Sequence, residues 1–172
     1  MKKLFLLLLG AALCLPALAQ GVPSAEDMVR ALVKPEPPKA GPATRGLRNL
    51  TVEAVAVPAP KPSLSLLIQF DFDSARVKLE SQELLANLSQ ALQSRELRES
   101  KFAVEGHTDA KGAAEYNLRL SAQRAEAVRS FLKSHGVVEE RLLASGKGST
   151  ELANAADPYA AENRRVRIVN LD

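Results

Sequence analysis

Two oppositely charged side chains, Asp109 and Arg124, carry the clearest binding chemistry in this sequence. Asp109 ends the segment Gly106-His107-Thr108-Asp109, which follows a predicted strand and begins a loop, where a rigid scaffold can present polar side chains. Asn117, Ser121 and Arg124 follow at helical spacing, so they share one stripe of a predicted helix. A carboxylate facing a guanidinium can hold a zwitterion, because each binds the opposite charge of the ligand. The same pair can instead form a structural salt bridge, and spacing alone leaves both interpretations open.

Other chemistries fit these residues less well. Glu105, His107 and Asp109 alternate as metal ligands can, but the mature chain has only His107 and His135, and a lone loop histidine usually packs or forms hydrogen bonds. Residues 145–150 look like a phosphate loop but lack the first glycine of the Walker pattern. No nucleophile-elbow sequence and no recognised Ser-His-acid spacing occur. We therefore predict no metal, no cofactor and no catalytic activity.

These side chains need a scaffold, and the apolar pattern predicts one that begins after Pro62. An apolar run at residues 64–70 predicts a buried strand, and leucines at helical spacing predict a helix that ends near Ser94. Alternating apolar and polar residues predict a second strand at 101–106, which leads directly into the loop of Asp109.

A long helix and two further strands complete the predicted domain. Helix-forming residues run from 114 to 135, and Gly136 is placed to end that helix. Residues 142–146 and 164–171 predict strands. The order βαβαββ predicts an α+β domain over residues 64–172, with a mixed sheet covered by two main helices. The apolar stripe of the long helix is expected to comprise Leu118, Ala125, Val128, Phe131 and Leu132.

Residues 1–19 have the pattern of a cleaved signal peptide. Lys2-Lys3 form a basic region, residues 4–15 are apolar, and Ala17-Leu18-Ala19 is a cleavage site. Pro16 interrupts an apolar run that is shorter than the roughly 18 residues of a spanning helix. We expect a mature periplasmic chain that begins at Gln20 and has no transmembrane segment.

The signal peptide contains the single cysteine of the sequence, Cys14. Leu13 precedes it where a lipoprotein has a small residue, so we expect no lipid anchor, and cleavage leaves no disulfide framework. Removal of Lys2-Lys3 lowers the formal net charge from +3 to +1. Basic and acidic residues are interspersed and export separates the chain from nucleic acid, so we exclude nucleic acid as a partner.

Residues 20–63 are predicted to be a Pro-rich linker. Eight of the ten prolines lie there, so the segment cannot sustain long helices or central strands. Residues 45–57 are proline-free and could form an added edge strand, remain disordered or recognise a partner by strand addition. An envelope protein is the candidate partner of residues 20–62.

Residues 102–132 (FAVEGHTDAKGAAEYNLRLSAQRAEAVRSFL) resemble the signature of OmpA-like C-terminal domains, a family that includes peptidoglycan-associated lipoprotein and flagellar stator proteins. The resemblance extends over residues 64–172. It is supported by Phe70-Asp71-Phe72-Asp73-Ser74, Gly136-Val137, Arg141-Leu142, Gly146-Lys147-Gly148 and Asn163-Arg164-Arg165-Val166.

The resemblance implies a ligand and a set of binding residues. Members of the family hold the diaminopimelate residue of the peptidoglycan stem peptide, a zwitterionic amino-acid end, between an Asp and an Arg that match Asp109 and Arg124. Further implied residues are Thr108, Asn117, Phe70, Asp71 and Arg165. The first two are expected to add hydrogen bonds, and the last three to line or brace the pocket.

One segment departs from the family pattern. Members often carry Gly-Arg shortly before the Asn-Arg-Arg motif, and the matching positions here are Tyr159 and Ala160. This departure puts a third arginine in the pocket in doubt and makes Tyr159 a candidate to pack there.

The sequence thus predicts a non-enzymatic module that binds peptidoglycan non-covalently and anchors itself or a partner in the cell envelope. We expect it to be cell-wall associated in the periplasm and peripheral to the outer membrane. The alternative is a periplasmic scaffold whose main ligand is another protein. A third interpretation, an enzyme acting on the wall, would require turnover of peptidoglycan by the pure protein.

Overall fold

The computed structural model describes residues 21–34 and 60–172, which contain three α-helices and four strands. In chain order these are α1 (Ala25–Leu32), β1 (Ser63–Leu66), α2 (Gln82–Leu92), β2 (Phe102–His107), α3 (Ala114–Ser134), β3 (Leu142–Gly148) and β4 (Val166–Asn170). Short 3₁₀ turns precede α2, β3 and β4, at Leu79–Ser81, Glu139–Arg141 and Ala161–Asn163. The predicted signal peptide and the segment 45–57 lie outside the described residues.

The four strands form one mixed sheet in the order β1-β4-β2-β3. β4 is antiparallel to both β1 and β2, and β2 is parallel to β3. α3 makes the crossover between the two parallel strands and packs on both of them. The predicted α+β class and the order βαβαββ from residue 63 onward are confirmed.

All three helices share one hydrophobic core with the sheet. α2 packs beside α3, and α1 packs beside α2. Alternate residues of β2 and β4 point into this core, as the two-residue period of a strand requires. The largest core side chains are Met28, Leu32, Leu85, Leu88, Leu92, Leu97, Phe102, Val104, Val128, Leu132 and Ile168.

β1 is shorter than the strand predicted at residues 64–70. Leu66 pairs with Val166, which is the first residue of β4, so the partner strand ends there. Phe70 instead pairs with Val77 across the turn formed by residues 71–76. This turn places residues 70–74 beside α3.

α1 corrects the linker predicted for residues 20–63. The Ser24 hydroxyl accepts a hydrogen bond from the Asp27 N–H and caps the helix. Met28 and Leu32 are fully buried, and the Asn170 side chain donates to the Leu32 carbonyl at 2.9 Å. Residues 25–32 are therefore packed on the domain rather than part of a linker.

Two glycines allow α3 to lie unusually close to the sheet. A Cβ on Gly106 would lie 2.1 Å from the Ser121 carbonyl oxygen, and one on Gly146 would lie 2.5 Å from the Ala122 nitrogen. Ser121 is buried at this contact, where its hydroxyl accepts from the Gly148 N–H at 2.9 Å. The close approach fixes the position of α3 relative to the loop after β2.

Leu118, predicted on the apolar stripe, is instead exposed.

In residues 21–34 and 60–172, no helix combines the length and the apolar composition needed to span a bilayer.

Candidate functional site

The loop after β2 is held on both sides by hydrogen bonds. The Thr108 N–H donates to the Gly148 carbonyl at 2.9 Å, and the Ala110 N–H donates to the Pro158 carbonyl at 3.0 Å. Asp109 Oδ1 accepts from the Lys111 N–H at 3.1 Å, which closes a local turn. The backbone thus fixes the Asp109 carboxylate before any ligand binds.

Asn117 ties the first turn of α3 to this loop. Its side-chain amide donates to the carbonyls of Asp109 at 3.3 Å and Lys111 at 3.0 Å. The amide is buried, so its first effect is to position the loop. The predicted polar stripe on α3 therefore faces the loop at Asn117, whereas Ser121 faces the sheet.

A cleft of about 1010 Å³ lies between the loop, α3 and the turn after β1. Six of the seven site residues predicted from the sequence line it, namely Phe70, Asp71, Thr108, Asp109, Asn117 and Arg124. Tyr159, a candidate from its departure from the family pattern, lines the cleft as well. The remaining lining residues were not predicted from the sequence, and they are Phe72, Asp73, Lys111, Tyr116, Leu120 and Arg164.

Arg124 presents part of its guanidinium to this cleft. Its Nε donates to the Ser74 carbonyl at 3.1 Å, and its Cζ lies 4.9 Å from the centroid of the Phe70 ring. Arg124 makes no other hydrogen bond with the described residues, so both terminal nitrogens keep donors for a ligand. Burial lowers the pKa of Arg124 and Arg164 lowers it further, while Asp109 and Asp73 oppose this effect.

Asp109 is paired with Arg164 rather than with Arg124. Arg164 Nη1 lies 2.8 Å from Asp109 Oδ2, and the Asp109 side chain is only 15% exposed. Both carboxylate oxygens of Asp109 therefore accept hydrogen bonds from the protein itself. The formal charges that line the cleft balance, since Arg124, Arg164 and Lys111 face three aspartates, so an anionic group would bind through the open donors of Arg124 rather than through a net positive charge.

The structure places Arg165, the seventh predicted residue, outside the cleft. Its Nη2 donates to the Glu151 carbonyl at 3.1 Å, and its own carbonyl accepts from the His107 N–H at 2.9 Å. Arg165 thus braces the end of β2, and Arg164 occupies the cleft. Arg164 precedes β4 in a turn in which the Arg165 N–H donates to the Asn163 carbonyl at 3.1 Å, so the alternation of side chains along a strand does not predict which arginine enters the cleft.

Thr108 contributes a buried hydroxyl at the cleft. The side chain is 3% exposed, and its Oγ1 has no hydrogen-bond partner among the described residues. This oxygen has almost no accessible surface, so a ligand can bond to it only after the side chain rotates toward the cleft. Asp71 is more exposed and lies 3.8 Å from Arg76, which places it at the edge of the cleft.

The residues considered as metal ligands are arranged differently from a metal site. Glu105 lies 3.4 Å from Lys147 and 3.7 Å from Arg167, so cations already surround it. Across residues 21–34 and 60–172, no three His, Cys, Asp or Glu side chains are grouped to hold a metal.

A second cleft, of about 810 Å³, lies between α1, α2 and the end of α3. Small side chains such as Ala25 and Ser89 line it together with the charged Glu26, Arg30 and Glu96, and it contains none of the predicted site residues. The cleft of Asp109 and Arg124 is the stronger candidate site, because it combines a largely buried carboxylate with a guanidinium that keeps donors for a ligand.

Comparison with known proteins assigns the family. A model of the OmpA family matches residues 69–166. Peptidoglycan-associated lipoprotein of Mesorhizobium japonicum is 38% identical over 95 residues, which cover 54% of this chain and 55% of that protein. Outer membrane protein A of Bordetella avium is 38% identical over 98 residues, which cover 56% of this chain and 50% of that protein. The chain thus spans about half the length of these relatives.

Solved structures show the same fold. The peptidoglycan-associated lipoprotein of Burkholderia pseudomallei matches with a TM-score of 0.52 and 35% identity, over 62% of this chain and 88% of that chain. The periplasmic domain of Helicobacter pylori MotB matches with a TM-score of 0.56 and 23% identity, over 64% of this chain and 76% of that chain, and shows the fold alone. With a family model that covers more than half of its length, the chain belongs to the OmpA family.

Proposed function

We propose that this protein binds peptidoglycan non-covalently through the diaminopimelate residue of the stem peptide, as a module without catalytic chemistry. The observation that carries the proposal is the free end of the Arg124 guanidinium beside the Asp109 carboxylate in one cleft. Relatives named peptidoglycan-associated lipoprotein support peptidoglycan as the ligand. The protein would then be associated with the cell wall in the periplasm, peripheral to the outer membrane.

The ligand ammonium is expected to bind Asp109 by exchange. Because Arg164 already contacts Asp109 Oδ2 at 2.8 Å, the ammonium must replace one cation with another. The exchange keeps the largely buried carboxylate neutralised, which avoids the penalty of an unpaired buried charge. It also releases the Arg164 side chain, which is itself half-exposed.

The ligand carboxylate is expected to bind the terminal nitrogens of Arg124. A planar guanidinium can bind a carboxylate with two parallel hydrogen bonds, and Arg124 Cζ lies over the Phe70 ring, 4.9 Å from its centroid. The released Arg164 supplies a second cation nearby. The Thr108 hydroxyl would add a further hydrogen bond once its side chain rotates toward the cleft.

Binding in this cleft would tether to peptidoglycan any partner that the remaining part of the chain binds. With α1 packed on the domain, partner recognition within residues 20–62 falls to the residues that flank this helix. An envelope protein remains the proposed partner of that segment.

Co-sedimentation of the purified full chain with peptidoglycan sacculi tests the proposal. The wild-type protein should pellet without any other protein present, and Asp109→Asn should stay in the supernatant while remaining folded. Arg98→Ala, which removes an exposed charge outside the cleft, serves as the matched control and should pellet like the wild type. Failure of the wild type to pellet would contradict the proposal and favour the protein scaffold.

A further inference from the structure

The exposed aromatic residues of the described chain all border one cleft. Phe72 is 99% exposed, Tyr159 65% and Tyr116 40%, and each lines the cleft of Asp109. Phe102 and Phe131 lie in the core or against it. Scattered apolar residues on a surface need no explanation, but three rings gathered at one cleft indicate a ligand with an apolar face.

The turn that carries Phe72 is fixed to α3. The Ser74 carbonyl accepts from Arg124 Nε at 3.1 Å, and the Asp73 carboxylate accepts from the Tyr116 hydroxyl. Asp73 has a φ of 49°, a left-handed conformation that turns the chain sharply after Phe72. The Phe72 ring is therefore presented to solvent from a held backbone.

We propose that Phe72 and Tyr159 form a saccharide subsite for the glycan strand that carries the bound stem peptide. This inference rests on the proposed function. One face of an amino-sugar ring consists of C–H groups with partial positive charge, which stack on the electron-rich face of an aromatic ring. The hydroxyl groups at the sugar edges stay hydrated, so the sugar suits rings that remain open to solvent. The tyrosine hydroxyl can also bond to them.

The dimensions of the cleft fit a ligand larger than one amino-acid end. Ligand pockets usually measure roughly 300–1,000 Å³, and this cleft, at about 1010 Å³, lies at the top of that range. Two residues separate diaminopimelate from the sugar in a stem peptide, and an extended chain of three residues spans at most roughly 10 Å. A sugar attached to the bound peptide can therefore reach the rim of the same cleft.

Calorimetric titration of the full chain with two soluble ligands tests the subsite. One ligand is a stem tripeptide ending in diaminopimelate, and the other is the same tripeptide attached to its disaccharide. The wild type should bind the disaccharide ligand roughly three- to tenfold more tightly. Phe72→Ala and Tyr159→Ala should each reduce this difference, while the affinity for the free tripeptide changes less than about twofold.

Two matched variants separate stacking from other causes. Phe72→Leu keeps an apolar side chain but lacks a π face, so it should reduce the difference as Phe72→Ala does. Leu143→Ala removes a 64% exposed apolar side chain on β3 and should leave the difference unchanged. The saccharide subsite is overturned if the wild type binds the two ligands with equal affinity. It is also overturned if Phe72→Ala and Tyr159→Ala keep the wild-type difference in affinity between the two ligands. Either result leaves peptide binding intact. If Phe72→Leu keeps the wild-type difference in affinity between the two ligands, stacking of the sugar on the ring is overturned. Absence of binding to either ligand overturns the proposed function and this inference together.

Discussion

Arg124 and Arg141 lie in similar surroundings but form different hydrogen bonds. The Cζ of Arg124 lies 4.9 Å from the Phe70 ring centroid, and that of Arg141 lies 5.6 Å from the Phe102 ring centroid. Burial lowers the pKa of both arginines. Arg124 donates only to the Ser74 carbonyl among the described residues, whereas Arg141 donates at 2.7–2.9 Å to three carbonyls. The three carbonyls belong to Leu92, Leu97 and Ser100.

The difference separates a structural arginine from the arginine that is proposed to bind the ligand. Arg141 uses Nε and Nη2 to close the chain between α2 and β2, so its guanidinium is part of the fold. Arg124 leaves its terminal nitrogens facing a cleft that also contains Asp109. Exchanging these arginines for other residues should therefore affect stability in one case and ligand binding in the other.

Arg141→Met should cause the largest effect, a loss of about 3–4 kcal/mol in the free energy of unfolding. Methionine keeps the packing over Phe102 but leaves three carbonyls without their donors. Urea denaturation measures the loss, with Arg98→Met as the exposed control, which should change stability by less than about 0.5 kcal/mol. If Arg141→Met loses no more stability than the control, Arg141 is not a structural arginine and the comparison with Arg124 fails.

His107 extends the comparison to a buried base beside the site. Burial lowers its pKa from 6.5 to about 4, and Arg165 and Arg167 act in the same direction against Glu151. The unfolded chain therefore binds this proton at higher pH than the folded chain. His107 therefore does not reduce the free energy of unfolding above about pH 6.5. As the pH falls from 6.5 to about 4, the free energy of unfolding decreases by up to about 3 kcal/mol because of this residue. Urea denaturation across this range should show a shallower pH dependence for His107→Gln, and equal pH dependence would exclude His107 as the cause.

Arg124→Ala should weaken binding to sacculi or to the stem peptide by about 1.5–3 kcal/mol, at least about tenfold. The ligand carboxylate loses its bidentate partner, while the fold loses a single hydrogen bond to Ser74. Titration measures the affinity, and urea denaturation should show a smaller stability loss than in Arg141→Met. If the variant binds like the wild type while folded, Arg124 is not the carboxylate-binding residue.

Arg124→Lys should give the smallest effect, a loss of roughly fivefold in affinity. Lysine keeps the charge but cannot form two parallel hydrogen bonds with one carboxylate. An affinity equal to that of the wild type would show that charge alone is recognised.

The domain fold was predictable because its periodicity is strong and local. β2 and α3 are close to the boundaries expected from alternation and from helical spacing, and the loop that carries Asp109 lies between them. The end of β1 was not predictable from its apolar run, since it depends on where β4 begins. α1 was missed because it has only eight residues between prolines, although Ser24 and Asp27 form a recognisable N-terminal cap.

Six of the site residues predicted from the sequence line the cleft, but the prediction omitted Arg164 and the exposed Phe72. Asp109 and Arg124 followed from a motif and a stripe, but which of Arg164 and Arg165 enters the cleft depends on the direction of each side chain before β4. The exposure of Phe72 depends on the turn at Asp73, because composition alone assigns a phenylalanine to the core. Their roles in binding stay predictions.

The most direct test of the central claim is calorimetric titration of two stem peptides into wild-type protein and Arg124→Ala. In one peptide the carboxylate at the zwitterionic end of diaminopimelate is free, and in the other that carboxylate is amidated. If Arg124 binds the carboxylate, amidation should weaken wild-type binding at least about tenfold and should have little further effect on the variant, because the same interaction is already lost. Equal affinity of the wild-type protein for the two peptides would contradict the account.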